Sequence, residues 1–483
     1  MTVLPLNRYI PDATSDLVIS GIQPDSRLIT KGDLFVATKG VHQDGLMFVA
    51  EAAKKGAVAV LTDSSAPVNT SLPVFRVADM PAVLSQLAVN VYDNPSQNLR
   101  VIGVTGTNGK TSTCQFIAQM LTLLHQQAAY VGTNGQGIWP NLSLIDNTTL
   151  DIVRNQQVLK QFVDNGASYC AMEVSSHGLD QQRVRGITFD CVVFTNLSRD
   201  HLDYHKTLEA YGAAKKKLFT DYDVEKAVVN LDDTLGRELL DITQLSCLSY
   251  SIVDQHADLF VTDIVFQPQG MSFNLHFHQQ IESVSVGLIG RFNIANVLAA
   301  TGVLIQQGYT LHQIALVLPE LHPIQGRMQL ITGEHQKTVS IDYSHTPDSL
   351  EKALLAMRDH CSGQLWVVFG CGGDRDSGKR PLMAQVAERF ADHVVVTDDN
   401  PRTESSAAIM TDIRDGFSEA AIKSVQFIAD RKQAIKHALS MMDSGDSVLI
   451  AGKGHEDYQI IGTTKHHFSD YEVVTELAAE VGL

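Results

Sequence analysis

The chain has 483 residues, of which 44% are hydrophobic and 19% charged, with a formal net charge of -17. That length exceeds what one core usually organises, so two to four domains are expected, with no segment apolar-poor enough to stay unfolded. An acidic chain without a dense Lys/Arg run excludes a general nucleic-acid or anionic-membrane binder, while a phosphate site made of backbone N–H groups and one lysine stays open.

From the N-terminus, MTVLPLNRYIPDATSD has no basic stretch followed by an apolar core, and nowhere do eighteen apolar residues run together, so neither export nor membrane insertion is expected. Cys114, Cys170, Cys191, Cys247, Cys361 and Cys371 form no CxxC pair, which argues against a zinc site or disulfide framework and suits a reducing cytoplasm. The β-branched runs at 58–61, 101–105, 191–195, 365–369 and 394–397 alternate with amphipathic helical stretches, the pattern of doubly wound parallel α/β sheets. The polar, proline-containing stretch 92–99 reads as a linker. Alternation at 259–265 and 271–277 predicts antiparallel strands appended to a middle domain, and Pro323 and Gly326 mark a second boundary. Three domains follow: 1–90, 91–325 and 326–483.

The segment Val101-Ile-Gly-Val-Thr-Gly-Thr-Asn-Gly-Lys-Thr-Ser112 predicts a buried strand, a glycine-rich loop and a helix beginning near Lys110. Such a loop brings backbone N–H groups, a helix dipole, a lysine charge and a magnesium-ligating Thr111 hydroxyl to a phosphate. Val104 stands where the strict GxxxxGK[ST] pattern has its first glycine, and a plain glycine-rich turn with a surface lysine is the competing interpretation. Glu173, at the end of an apolar strand, is placed either to ligate magnesium or to cap the next helix. His201 and His205 have the spacing of one helical face, which permits but does not require joint metal binding. Lys215, Lys216 and Lys217 read alone as a solvated helix face.

Gly106-Thr-Asn-Gly-Lys-Thr111 resembles the ATP loop of the Mur ligase family. Met172-Glu-Val-Ser-Ser-His-Gly-Leu179, Phe194-Thr-Asn-Leu-Ser-Arg-Asp-His-Leu-Asp-Tyr-His205, Asp342-Tyr-Ser-His-Thr-Pro-Asp348 and Gly372-Gly-Asp-Arg-Asp-Ser-Gly-Lys-Arg-Pro381 are similar to segments of its tripeptide-forming branch. The resemblance spans nearly the whole chain. It implies a central P-loop ATP-binding sheet, an N-terminal UDP-substrate domain and a C-terminal Rossmann-like domain that closes over the middle one. The implied activity is ATP-dependent addition of meso-diaminopimelate to UDP-N-acetylmuramoyl-L-alanyl-D-glutamate through an acyl phosphate, with Mg2+ as cofactor, in a cytoplasmic monomer of cell-wall precursor synthesis.

Residue by residue, the resemblance gives Gly106, Thr107, Asn108, Gly109, Lys110, Thr111, Ser112, Asn293 and Arg327, with Asn296, to ATP. It gives Thr111, Glu173, His201 and a carbamylated Lys215 (N6-carboxylysine) to magnesium, with Lys110, Glu173, His201 and Lys215 as the catalytic set. Ser26, His42, Gln43, Asn147, Thr148, Thr149, Ser175, Gln181 and Arg183 would hold the UDP-muramoyl dipeptide. Arg375, Asp399, Asn400, Pro401, Arg402, Gly452 and Glu456 would hold diaminopimelate, whose distal carboxylate suits the fork of Arg402. Leu46, Leu150 and Tyr471 depart from the family's pattern, and neither His345 nor Asp348 is assigned as base. A lysine-adding relative, a folylpolyglutamate synthase and a non-catalytic nucleotide-dependent regulatory binder remain the alternatives.

Overall fold

The structure, a computed structural model, describes residues 4–14, 17–40, 44–145, 147–332 and 337–481. The candidate residues His42 and Gln43 lie outside the described residues. The chain divides into two compact units, one within Met1–Tyr250 and Ala299–Tyr309, the other within Ser251–Leu298 and Thr310–Leu483.

In the first unit, strands Gly21–Gln23, Asp33–Ala37, Ala59–Thr62 and Val74–Arg76 form a parallel sheet in chain order. Its core reaches past the linker, because Tyr92, Ile152 and Val153 pack with Leu34, Leu61 and Leu87. A larger sheet follows, ordered Ser246–Ser251, Val224–Asn230, Phe189–Phe194, Arg100–Thr105, Tyr169–Glu173, Ala128–Gly132 and Gly135–Ile138, parallel except for the last strand. Its central strands, as in Val101, Ile102 and Val104, are apolar on both faces because helices cover both sides. The strand order reverses beside Arg100–Thr105, and a parallel sheet opens a crevice at the carboxyl ends of its strands at such a switch point. The predicted loop, the end of Tyr169–Glu173 and the segment after Phe189–Phe194 all emerge there.

The second unit holds the antiparallel strands Leu259–Gln267, Gly270–Phe277 and Gln280–Val286 expected from their alternation, with a bulge between Thr262 and Val265. Its main sheet is ordered Gln329–Thr332, Thr338–Asp342, Ser447–Ala451, Leu365–Phe369, His393–Val396 and Gln426–Phe427, parallel except for the first strand. Leu350, Met357, Met383 and Ile409 cover one face, and Ile435, Leu439, Val474 and Leu477 the other. This is the doubly wound arrangement expected for the C-terminal region.

One buried ion pair ties that second layer down. Arg431 Nε and Nη2 donate to the two carboxylate oxygens of Asp470 at 2.8 Å each, with both side chains fully buried, and Nη2 also donates to Ala451 O at 3.0 Å. Losing one partner of such a pair strands a charge in an apolar interior. Asp470→Ala is therefore expected to lower the unfolding free energy of the transition that includes the C-terminal sheet by about 3–5 kcal/mol. Urea denaturation followed by circular dichroism checks it; a change below about 1 kcal/mol would contradict the importance of the pair.

Candidate active site

The glycine-rich loop is built as its sequence suggests. Strand Arg100–Thr105 ends in Gly106, the helix Lys110–Leu123 starts four residues later, and Gly109 adopts φ +83° at its N-cap. Gly106 is required by close approach, since a Cβ there would strike the Thr195 hydroxyl. The helix has no side-chain cap at its start, which leaves its first N–H groups directed at the crevice. Lys110 Nζ donates to the carbonyls of Gly106 and Thr107 at 2.9 Å each, so its charge is folded over the loop. Thr111 and Ser112 are buried at the helix start.

A second segment, 195–198, shapes the loop from the neighbouring strand. Thr107 N donates to Asn196 O at 2.8 Å, Asn108 N to Asn196 Oδ1 at 2.9 Å, and Thr195 Oγ1 to Asn108 O at 2.6 Å. The phosphate loop and the segment leading to His201 are thus one hydrogen-bonded body.

Glu173 is fully buried, and its Oε1 accepts from Tyr130 Oη at 2.6 Å and from Thr133 N at 2.9 Å. The helix-capping alternative fails, because Ser175 caps the next helix through Gly178 N. Thr133 Oγ1 meets Thr148 Oγ1 at 3.1 Å, and Thr149 Oγ1 donates to Glu173 O at 3.0 Å and meets Ser175 Oγ at 3.0 Å. Arg183 donates to Thr149 O and, through two nitrogens, to Gln181 Oε1. Thr148, Thr149, Ser175, Gln181 and Arg183 therefore form one chain of contacts leading to Glu173, preceded in sequence by Asn147. Leu150 is buried while its carbonyl accepts from Asn155. Ser26 stands apart from these contacts and donates to Glu51 Oε2 at 2.8 Å, and Leu46 is buried in the N-terminal core.

The lysine triplet splits. Lys216 and Lys217 make exposed ion pairs with Glu238 and Asp180, the solvated face that the sequence pattern suggests. Lys215 is buried on the other side of the helix Leu208–Thr220, with its ammonium 4.2 Å from the Tyr211 ring and no hydrogen-bond acceptor among the described residues. Burial, and next the charge of Lys110, hold this amine well below the ordinary lysine range.

The histidines do not share a helical face as their spacing suggested. His201 sits before a four-residue helix at φ +52° with its ring half exposed beside Asp200, whereas His205 is buried against Ser176 Oγ at 3.0 Å. The rings of His201 and His205 both pack on Tyr211, the ring that Lys215 faces. His177, unremarked in the sequence, packs 4.9 Å from His201 and 4.2 Å from Tyr204.

In the second unit, Asp399, Asn400 and Pro401 are buried at the end of strand His393–Val396, and Arg402 takes φ +52°. That conformation is costly for arginine and is fixed on both sides, by Arg402 N donating to Ile460 O and Gly462 N to Arg402 O. Arg402 Nη1 donates to Gly373 O at 2.8 Å, and a Cβ on Gly372 would crowd the same nitrogen. Exposed Arg375 follows Asp374, another residue at positive φ, whose carboxylate accepts from Thr403. Asn400 Nδ2 donates to Glu456 Oε2 at 3.0 Å, and Gly452 lies beside Asp399. The structure thus brings together Asp399, Asn400, Gly452 and Glu456, with Arg402 on the adjoining loop. Tyr471 is exposed, while its neighbour Asp470 carries the buried pair.

Asn293 and Asn296 are buried in the first turns of the helix Arg291–Gln306, where Asn296 donates to Asn293 and Asn293 to Ile289 O. Arg327 lies over the Tyr343 ring at 4.9 Å, and Tyr343 also packs on His455. Arg327 Nε and His455 Nδ1 are buried without a hydrogen-bond partner among the described residues.

Three family models match the chain: Mur ligase family, catalytic domain, over residues 18–95; Mur ligase middle domain over 104–304; and Mur ligase, glutamate ligase domain, over 326–454. A UDP-N-acetylmuramoyl-L-alanyl-D-glutamate--2,6-diaminopimelate ligase of Pseudomonas aeruginosa is 47% identical over 473 residues, covering 97% of each chain. The chain belongs to the Mur ligase family. A ligase of the same name from Ectopseudomonas mendocina is 47% identical over 480 residues, covering 99% of this chain and 98% of its own. A solved structure bearing that ligase name has 36% identity and a TM-score of 0.74, covering 99% of both chains. A Mur ligase is an ATP-dependent ligase, and the middle-domain match includes the glycine-rich loop. Among the described residues no helix is long and apolar enough to cross a membrane.

Tyr130, Thr133, His177 and Tyr211 were not singled out from the sequence. Each is an ordinary core or turn residue until the sheet sets it beside Glu173, His201 or Lys215. His455 yields a pH test. Burial lowers its folded-state value from 6.5 to about 4, so the unfolded chain takes up the proton more readily. The stability that depends on neutral His455 is present above about 6.5 and is lost as pH falls toward about 4. Urea midpoints of wild type should fall across that window and those of His455→Gln should fall less; parallel curves would refute the assignment.

Proposed function

We propose that the chain adds meso-diaminopimelate to UDP-N-acetylmuramoyl-L-alanyl-D-glutamate with consumption of ATP. The observation that carries this is that one chain holds both a glycine-rich loop beside buried Glu173 and Lys215 and, in its other unit, a polar cluster of Asp399, Asn400, Arg402 and Glu456. Relatives of the same length carry that activity in their names. The loop amides and Lys110 bind the ATP phosphates, and Arg327, with an unspent Nε, has the chemistry to hold an anion. Asn293 and Asn296, joined to each other at the helix start, are assigned to ATP with amide groups still able to bond to it.

The γ-phosphoryl group passes to the D-glutamate γ-carboxylate, giving ADP and an acyl phosphate. The free amine of diaminopimelate then attacks the acyl carbon, forming the amide and expelling phosphate with loss of one proton. Thr148, Thr149, Ser175, Gln181 and Arg183 position the dipeptide, while Ser26, with His42 and Gln43, serves the UDP end. Arg402 and Arg375 receive the distal carboxylate of diaminopimelate, and Asp399 and Glu456 its distal ammonium.

The donor set has the chemistry for Mg2+: a fully buried carboxylate on Glu173, a hydroxyl on Thr111, an imidazole on His201 and a buried Lys215 that makes no salt bridge among the described residues. As an ammonium, Lys215 would repel a cation. Its depressed basicity leaves a neutral amine able to combine with carbon dioxide, and the resulting carbamate supplies an oxygen ligand instead. When bound, Mg2+ would neutralise phosphate charge. The enzyme is inferred to act as a cytoplasmic monomer.

Phosphate release with ATP and the UDP-muramoyl dipeptide is expected with meso-diaminopimelate and not with L-lysine or with no amino acid. Equal release with lysine would overturn the specificity, and no amino-acid-dependent release would overturn the ligase assignment. Lys215→Arg, which stays cationic and forms no carbamate, should lower kcat by about 10- to 100-fold. A 13C carbamate resonance in labelled bicarbonate should accompany wild type and vanish in that variant.

A further inference from the structure

Lys453 is fully buried, which is unusual for lysine and demands compensation. Its Nζ lies 3.2 Å from Asn400 Oδ1, 3.3 Å from Glu456 Oε2 and 3.4 Å from Asp399 Oδ1. The Tyr458 ring lies 5.7 Å away. Asp399 and Asn400 lie on one loop and Lys453 and Glu456 on another, 53 residues apart from Asn400 to Lys453 and 56 from Asn400 to Glu456, and all three partners belong to the proposed amino-acid site. Asn400 is oriented by this contact. Its Oδ1 accepts from Lys453 and from Ile460 N, so its Nδ2 is turned toward Glu456 Oε2, which therefore receives both Asn400 and Lys453.

The loops are anchored from behind. Arg431, held by Asp470, donates to Ala451 O and Asp398 O, the residues immediately before Gly452 and Asp399. The strand ends are consequently fixed, and the remaining freedom belongs to the side chains that Lys453 gathers. Two carboxylates and one ammonium leave a single negative charge, enough to receive one ammonium group of a ligand without stacking two cations.

We propose that Lys453 is a positioning residue that sets amino-acid affinity and selectivity, by holding Asp399, Asn400 and Glu456 as one ammonium-receiving face of net charge minus one. This rests on the amino-acid site proposed above. Lys453 does not touch the reacting amine; it acts through the groups it holds.

The test compares wild type, Lys453→Met and Lys453→Gln in KM for whichever amino acid supports turnover, and in calorimetric binding of that amino acid to the full chain. Both variants are expected to raise that KM by roughly tenfold or more, with the KM for ATP and for the UDP-muramoyl dipeptide moving less than about twofold. With Lys453→Ala, ethylammonium should restore part of the affinity, which a merely structural loss would not show. Lys453→Gln keeps a donor toward Asn400, so it remains readable if Lys453→Met does not fold. An unchanged amino-acid KM, or an equal rise for all three substrates without amine rescue, overturns the proposal. Turnover by wild type with an amino acid other than diaminopimelate would instead overturn the substrate assignment, while the Lys453 comparison is still read on that other amino acid.

Discussion

Charge buried without water is the constraint on which both units depend. Glu173, Lys215, Arg431, Lys453 and Asp470 all lie at or below 2% exposure, and each sits at or behind the carboxyl end of a parallel strand or the helix that covers it. Desolvation of such groups is expensive, so each must find partners or change protonation. Arg431 and Asp470 pair through two hydrogen bonds, backbone carbonyls take further Arg431 donors, and the group serves the scaffold. Lys453 finds three polar partners and organises a loop pair. Lys215 has an aromatic face and no salt bridge among the described residues, the more distant charges of Asp200 and Asp233 do not offset its burial, and the cost appears as a weakly basic amine. The degree of compensation thus sorts the buried charges: the fully paired ones are architectural, and the least paired one is left open to chemistry.

Much of the fold was readable because parallel strands buried on both faces write themselves as β-branched runs. The stretches expected at 101–105, 191–195 and 394–397 appear as Arg100–Thr105, Phe189–Phe194 and His393–Val396, displaced by no more than two residues at their ends. The phosphate loop was readable for a local reason, since glycine spacing and a following lysine are confined to six residues. His201 and His205 illustrate where local spacing misleads. His201, at positive φ, stands before a helix of only four residues instead of on it, so the two rings meet around Tyr211 without lying on one helical face.

What sequence could not supply was pairing across long separations. Tyr130 and Glu173 are 43 residues apart, and Lys453 and Asp399 are 54 apart. Nothing in the spacing of either pair signals contact, because the sheet order that joins them is a tertiary outcome. Lys453 was visible inside the segment Gly452-Lys-Gly-His-Glu456, yet a lysine there has no signature separating a solvated side chain from a fully buried one. The triplet at 215–217 presents the same ambiguity, and only the helix's orientation selects Lys215.

Net charge is the last point that local structure overrides. A chain of formal charge -17 repels a polyanion at long range, yet that field is screened within about 10 Å at ordinary ionic strength. Inside the crevice the decisive terms are near: uncapped N–H groups at the start of the helix Lys110–Leu123 and one ammonium folded over the loop. The same logic holds in the other unit, where two carboxylates and Lys453 face one way and the Arg402 guanidinium is fixed by its backbone on the adjoining loop. A zwitterionic end of an amino acid is read by such a split arrangement, one sign on each side, whereas a bare ammonium would use only half of it. Selectivity between the two is therefore a question of whether the arginine side is matched, because an unmatched guanidinium keeps its hydration and contributes nothing to binding.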